Sequence, residues 1–408
     1  MTLRDYQADI AVRGLKILKT HGLLYLCMAV RTGKSLTSLH IAHRATNGGC
    51  ILFVTKKKAI GGIEADIAAS GLKFDQVTVT NYEQVKKLYP ENYDLIIADE
   101  AHQMKAFPKP SGRTMEMQRV CWYKPIIYLS GTAAPESYSE LYHQFWISCR
   151  SPYHRYNKFY DWARDYVKIK EVKRGNFMVN DYSDADGPRI LRELSPIMIS
   201  FSQEEAGFRC EVKEYFHIIE IPRLGEMIKA LDRDKIINIQ ENPVVADNPA
   251  KLLTKLHQLC GGTIITENGP LVFSTAKAEF IKEHFKGRRI AIFYKFIAER
   301  EILESTFPHH TTDPVAFEAG KSDVFLSQII SGREGITLST ADAIVMYSIC
   351  FSAVSYWHAR ARLQTLARTT PAEVHWIFAM GGIEKKIYRA VSNKKDFTLS
   401  FYRRCRDE

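Results

Sequence analysis

Short apolar runs, recurring through the first third of the chain, restrict its fold more than any other feature. "LLYLCMAV", "CILFVT", "QVTVT", "DLIIAD" and "KPIIYLSG" are each brief, rich in β-formers and followed by polar or glycine-containing loops. Each therefore reads as a buried strand. Helical patterns fall between several of them, such as "SLTSLHIAHRA", which stops at Gly48 and Gly49. Strands alternating with helices imply a doubly wound, mostly parallel sheet. From about residue 137 the pattern changes. Residues 138 to 170 carry aromatic and basic side chains at helical spacing, and "IPRLGEMIKALDRDKIINI" and "PAKLLTKLHQL" read as amphipathic helices. The α/β rhythm then returns with "RRIAIFYKF", "DVFLSQII", "ADAIVMYS" and "EVHWIFAM". The expected fold is α/β, with two parallel-sheet lobes, 1–136 and 266–408, and a mainly helical segment, 137–265, between them.

A chain of 408 residues is too long for one ordinary core, in keeping with more than one domain. Its longest apolar run is far too short to cross a bilayer, so no membrane association is expected. Motif-bearing sequence begins at once with "MTLRDYQADI", and no signal or transit segment is expected before it. The eight cysteines are scattered and show no zinc-knuckle or dithiol spacing. That reads as a reduced, cytoplasmic protein without structural metal. The net charge of +10 favours a polyanionic partner, most simply nucleic acid. A mildly basic enzyme with a solvated surface is the plainer alternative.

The stretch "MAVRTGKSL" ends like a phosphate-binding loop, yet Met28 stands where such loops usually open with glycine. The context fits the chemistry. "LLYLCMAV" supplies a strand, Arg31, Thr32 and Gly33 a turn, and Lys34-Ser35 the start of a helix whose N–H groups can face phosphate. Lys34 would pair with the β and γ phosphates of ATP, and the Ser35 hydroxyl would bind Mg²⁺.

"DLIIADEAH" strengthens the case. Adjacent carboxylates at the end of an apolar strand are costly unless they hold a cation or move a proton. Asp99 would hold Mg²⁺ through its water shell, and Glu100 would orient and deprotonate the attacking water. His102, in the same motif, and Ser130 and Thr132 in "LSGTAAP", which ends another strand, could couple the phosphate site to a polynucleotide track.

With these residues in order, the chain resembles the superfamily-two helicases and translocases, specifically the Swi/Snf-type remodelling ATPases, and looks like a compact viral or bacterial member. "LRDYQ" resembles the family's Q motif, which implies that Gln7 reads adenine with Arg4 and Tyr6 packed nearby. "DEAHQMK" carries Lys105 at the family's usual spacing. "TAKAEFIKEHFKGRRIAIFYKF" resembles the opening of the second lobe. "VFLSQIISGREGITLSTADAIVMYSICFSAVSYWHARARLQ" is similar to the family's fifth and sixth motifs, and "GGIEKKIYRAV" to its closing helix. The resemblance implies two RecA-like lobes that close on ATP, with Gly335 among the nucleotide contacts. It implies sequence-independent phosphate contacts to DNA from Thr55, Lys56, Asn81, Tyr82 and Arg333.

For each DNA contact a plainer reading stands beside the functional one: Lys56 as a solvated lysine, Tyr82 as core packing. The run from Tyr153 to Arg174 reads as a helix with aromatics in the core and lysines in water. The family's sixth motif reads roughly Gln-Ala-x-x-Arg-x-x-Arg, and here "HARARLQTLAR" has His358, Arg362 and Thr365 at the three defining positions. Arg360, Arg362 and Arg368 are the candidates for the arginine that meets the γ-phosphate, with Arg362 and Arg368 preferred as a replacement pair. The expected function is an ATP-dependent DNA translocase or helicase, with specificity supplied by DNA structure or by a targeting protein partner. An RNA helicase, or a nucleic-acid-binding protein that has lost hydrolysis, are the alternatives.

Overall fold

The computed structural model describes residues 2–131, 133–174, 177–208, 211–329, 338–351 and 371–392. The chain divides into two compact units, Met1–Gly207 and Phe208–Glu408.

In the first unit every apolar run of the sequence forms a strand: β1 Leu23–Met28, β2 Cys50–Thr55, β3 Gln76–Asn81, β4 Leu95–Asp99 and β5 Ile126–Leu129. A hairpin, β6 Lys170–Arg174 and β7 Phe177–Asp181, follows, and then β8 Met198–Phe201. Six strands form one sheet in the order β3-β2-β4-β5-β1-β8. All its pairings are parallel. Side chains alternate across a strand, so a sheet covered on both faces needs apolar residues at every position. Leu23 and Tyr25 of β1 join Leu52, Val54, Ile96, Ala98, Ile126 and Tyr128 in one core. Leu24, Leu26 and Met28 join Ile51, Phe53, Leu95, Ile97, Ile127 and Leu129 in the other. That two-sided demand makes these runs continuous rather than alternating.

The helices on these faces include α1 Asp5–His21, α2 Lys34–Thr46, α3 Ile60–Ser70, α4 Gly112–Cys121, α5 Glu140–Trp146, α6 Phe159–Tyr166 and α7 Gly187–Leu194. Helix α6 buries Phe159, Trp162, Ala163 and Tyr166, spaced to share one helix face, and leaves Tyr160 and Arg164 exposed. The helical part of the aromatic-basic run is therefore core packing beneath a solvated face, as read from the sequence, but Lys170–Arg174 form strand β6 instead of continuing the helix.

The second unit repeats the plan. Strand β9 is Val212–Ile219; two small hairpins follow, β10 Ile236–Ile239 with β11 Asn242–Val245, and β12 Thr263–Thr266 with β13 Gly269–Val272. Then come β14 Ile290–Tyr294, β15 His310–Thr311, β16 Val324–Gln328, β17 Ala343–Met346 and β18 Ala372–Ala379. The six-stranded sheet runs β15-β16-β14-β17-β18-β9, again wholly parallel. Its helices include α8 Leu224–Asp234, α9 Pro249–Cys260, α10 Ala276–His284, α11 Ile297–Thr306, α12 Pro314–Glu318 and α13 Glu384–Ser392.

The α/β class with two parallel sheets is as expected. The stretch 137–265 is not a separate helical body. Residues up to Gly207 belong with the first unit, where β8 pairs with β1, and those from Phe208 with the second, where β9 pairs with β18. Both are edge strands with half-exposed side chains, so neither shows the continuous apolar run of a central strand. Helix α8 also stops at Asp234, where Lys235 turns left-handed (φ 63°) into β10, so the expected long helix is a helix and a strand.

Candidate functional site

The first unit concentrates the chemistry at the C-terminal ends of β1, β4 and β5. Strand β1 continues through Met28, which is fully buried and pairs with Phe201. Its backbone is ordinary strand, and the left-handed positions come later, at Arg31 (φ 69°) and Gly33 (φ 80°). Glycine is needed where φ is positive and crowding is tight. At Gly33 a Cβ would lie 2.1 Å from Gln7 Nε2. That explains a loop that keeps Gly33 and tolerates Met28. Gly33 also caps α2, so the helix N-terminus begins at Lys34 and Ser35 as the motif requires.

The loop is held from behind. Thr32, fully buried, donates its hydroxyl to Ala29 O at 2.8 Å. Tyr6 donates to Thr32 O at 3.1 Å and stacks on Phe201 with ring centroids 4.8 Å apart. Arg4 Nη1 donates to the Tyr6 hydroxyl at 3.1 Å. Gln203 Nε2 donates to Val30 O at 2.9 Å. Gln7 is buried, its Oε1 accepting from Arg4 N at 2.9 Å and its Nε2 donating to Gly33 O at 3.2 Å. Both ends of the amide bind protein backbone, so Gln7 shapes the phosphate loop, and the implied adenine contact would have to use its second N–H and remaining lone pairs. Phe201 and Gln203 carry no signal in the sequence, because they reach the loop only through the pairing of β8 with β1.

Opposite the loop stand the two carboxylates. Lys34 Nζ pairs with Glu100 Oε1 at 3.3 Å, although the residues lie 66 positions apart. Glu100 adopts φ 52°, a conformation uncommon for a residue with a side chain and often found at functional sites. His102 Nδ1 lies 3.2 Å from Glu100 Oε2 and 3.1 Å from Ser130 Oγ. Burial depresses the His102 pKa to about 4, against the raising influence of Glu100, so the ring is neutral near pH 7. The structure thus brings Lys34, Glu100, His102 and Ser130 together.

Asp99 is buried at the end of β4 and Thr55 donates to its Oδ2 at 2.7 Å. Its Oδ1 has no hydrogen-bond partner among the described residues. Burial pushes its pKa up to about 6, against the opposing pull of Lys34. A buried carboxylate oxygen without a partner is costly. It is also what a hydrated divalent cation would use, and with Ser35 at the start of α2 the donor set is hard oxygen, suited to magnesium.

The residues expected to contact DNA separate on inspection. Thr55 is wholly buried and committed to Asp99, because β2 and β4 are neighbours and their ends adjoin. Tyr82 is buried and donates to Asp99 O at 2.6 Å. Asn81 is buried and accepts from the N–H groups of Glu83 and Gln84, closing a turn. A track on DNA phosphates needs exposed donors, so Thr55 and Tyr82 are corrected to supports of the Asp99 end of β4, and Asn81 to a turn-closing residue after β3. Lys56, half-buried just past β2, retains a position compatible with contact. Lys105 forms ion pairs with Glu136 and Glu140. Thr132, Arg333, Gly335, Arg360, Arg362 and Arg368 lie outside the described residues.

No family model matches the chain. It is 22% identical over 385 residues to the CHD3-type chromatin-remodeling factor CHR7 of Arabidopsis thaliana, an alignment spanning 82% of this chain and 30% of that protein. The chain therefore covers under a third of the relative's length. Among solved structures it is similar to the Sulfolobus solfataricus SWI2/SNF2 ATPase core in complex with dsDNA, at 16% identity and a TM-score of 0.43, over 96% of this chain and 91% of that one.

Proposed function

We propose that the chain is an ATP hydrolase of the Swi/Snf type that couples hydrolysis to movement along, or remodelling of, DNA. The observation that carries this reading is the meeting of Lys34 and Glu100 in front of the phosphate loop, beside an Asp99 Oδ1 that has no hydrogen-bond partner among the described residues. Lys34 and Glu100 are both mostly buried, and each offsets the other's desolvation. A γ-phosphate would compete for the ammonium. Lys34 then turns to the phosphate, and Glu100 is released to accept a proton from the attacking water. Asp99 and Ser35 would hold Mg²⁺, which supplies neutralisation of phosphate charge when bound. Neutral His102 sits between Glu100 and Ser130, where it can relay a change at the phosphate to the end of β5.

Support for DNA as the partner comes from the net charge of +10, from the motif resemblance and from the chromatin-remodelling name of the relative. The test is steady-state ATP turnover with duplex DNA, single strands and RNA, in the wild type and in Glu100→Gln. Duplex DNA should stimulate most. Glu100→Gln should bind ATP nearly as well and hydrolyse it slower by orders of magnitude, since an amide cannot take the proton. Wild-type turnover in that variant would overturn the assignment of Glu100, and preferential stimulation by RNA would overturn the choice of DNA.

A further inference from the structure

The second unit holds a cluster of histidines to which none of the roles described above is assigned. His217 lies on β9, His375 on β18 and His284 on the last turn of α10. Strand pairing sets Ile377 opposite His217 and His375 opposite Tyr215, so both strand histidines face the side of the sheet packed by α10. One ligand nitrogen from each of the three rings lies within 4.8 Å of the others. We propose that His217, His284 and His375 form a binding site for one zinc ion or a similar imidazole-preferring divalent cation.

The arrangement has the parts such a site needs. Zinc takes histidine nitrogens at about 2.0–2.1 Å in tetrahedral geometry, which sets neighbouring nitrogens about 3.3 Å apart. His217 Nε2 and His375 Nδ1 are 2.9 Å apart, so a movement of a few tenths of an ångström would admit a metal between them. The tautomer of His375 is fixed from its other side: Nε2 lies 3.2 Å from Glu373 Oε2, and Glu373 is held by Arg288 Nη2 at 2.5 Å. A carboxylate that accepts the Nε2 proton leaves the Nδ1 lone pair facing the cluster, which is how outer carboxylates orient metal-ligating histidines.

A plain hydrogen-bonded pair of core histidines would account for His217 and His375. It does not account for the third ring, with its centroid 4.7 Å from that of His217 and backed by Phe280 and Phe285. His375 is buried, His217 half-buried and His284 exposed. The cluster therefore opens towards solvent on the His284 side, leaving a fourth ligand position for water. All three donors are nitrogens, which disfavours magnesium and calcium, both oxygen-seeking. A metal here would join the edge strand β9 to α10 and β18, three elements distant in sequence, so its binding energy would add to the stability of the second unit. The expectation of no structural metal rests on cysteine spacing alone, which does not bear on the histidines.

The experiment uses the full chain, stripped with chelator and dialysed. Zn²⁺ added to it should bind one ion per chain by calorimetry and raise the thermal midpoint by several degrees, and Mg²⁺ should do neither at this site. Co²⁺ should give the intense visible band of a four-coordinate ion. His284→Ala changes an exposed side chain, so it should fold as the wild type does and lose both the zinc-induced rise and the cobalt band. His217→Ala should do the same. Absence of one-to-one binding in the wild type would overturn the proposal. So would a zinc-induced rise or cobalt band that survives in His284→Ala, since the metal would then sit elsewhere. Should His217→Ala fail to fold, the His284→Ala result decides alone.

Discussion

Asp99 has one oxygen bound by Thr55 and the other left without a partner among the described residues, in a buried position. Retaining a buried charge there makes sense only if the site is built for function at the expense of stability. The folded-state pKa is raised from the usual 3.8 to about 6, so between those values the folded chain holds a proton that the unfolded chain has released. Stability is lost as pH rises through that window, and the full penalty is present above it. A pKa rise of about two corresponds to about 3 kcal/mol at most. Asp99→Asn keeps a carbonyl for the Thr55 hydroxyl and removes the charge. It should abolish ATP hydrolysis and yet stabilise the protein by about 1–3 kcal/mol at pH 7 to 8, the gain shrinking towards zero near pH 4. Neutral His102 has the opposite slope, losing stability as pH falls from 6.5 towards 4. Both proteins share that loss, so the difference between their denaturation curves isolates Asp99. An Asn variant no more stable than wild type at pH 8 would show that the carboxylate is not strained.

Helix α2 works because its first turn is aimed by a left-handed glycine, and neighbouring glycines show how local that demand is. Gly33→Ala would force a side chain into φ 80° and into the Gln7 amide. It should destabilise the protein by about 1–3 kcal/mol and abolish binding of a fluorescent ATP analogue. Gly62→Ala in α3 is exposed, has no atom within 4 Å of the added Cβ and should stabilise by about 0.5–1 kcal/mol. Equal effects of the two changes in urea denaturation would deny the loop its special geometry. The same contrast explains what the sequence can reveal. Central strands declare themselves, because burial on both faces leaves no room for polar residues, and the phosphate loop and "DEAH" are contiguous. Thr55 reads as a surface contact because its burial depends on β4 lying beside β2. The loop-shaping role of Gln7 is not legible because one of its backbone partners, Gly33 O, lies 26 positions away, while the other is Arg4 just before α1. Strands β8 and β9 stay hidden because half-exposed edge strands carry no continuous apolar run.

At the scale of the whole molecule, the charge that develops on a γ-phosphate must be met by more cation than Lys34 alone provides. Where it has been measured in related phosphoryl transfer, an added arginine is worth about 10³–10⁵ in rate. The sequence offers Arg360, Arg362 and Arg368 for that role, and Thr365, which stands where the resembled motif has arginine, cannot carry it. That segment lies outside the described residues; on its sequence alone, helical spacing would put Arg362 on one face with His358 and Arg360 on another, because residues three or four apart are neighbours on a helix. Arg362→Ala and Arg368→Ala should each cut DNA-stimulated hydrolysis severely, and Arg360→Ala should do less. DNA binding separates this from a loss of grip. Affinity should fall steeply with salt between about 50 and 200 mM, since phosphate neutralisation dominates it. The Arg362 and Arg368 variants should keep the wild-type slope, because the lost cation serves ATP and not the DNA backbone. A shallower slope in either variant would move that arginine to the DNA track. Greatest damage from Arg360→Ala would show that the helical register is displaced. Full activity in all three would leave Arg333 as the remaining candidate.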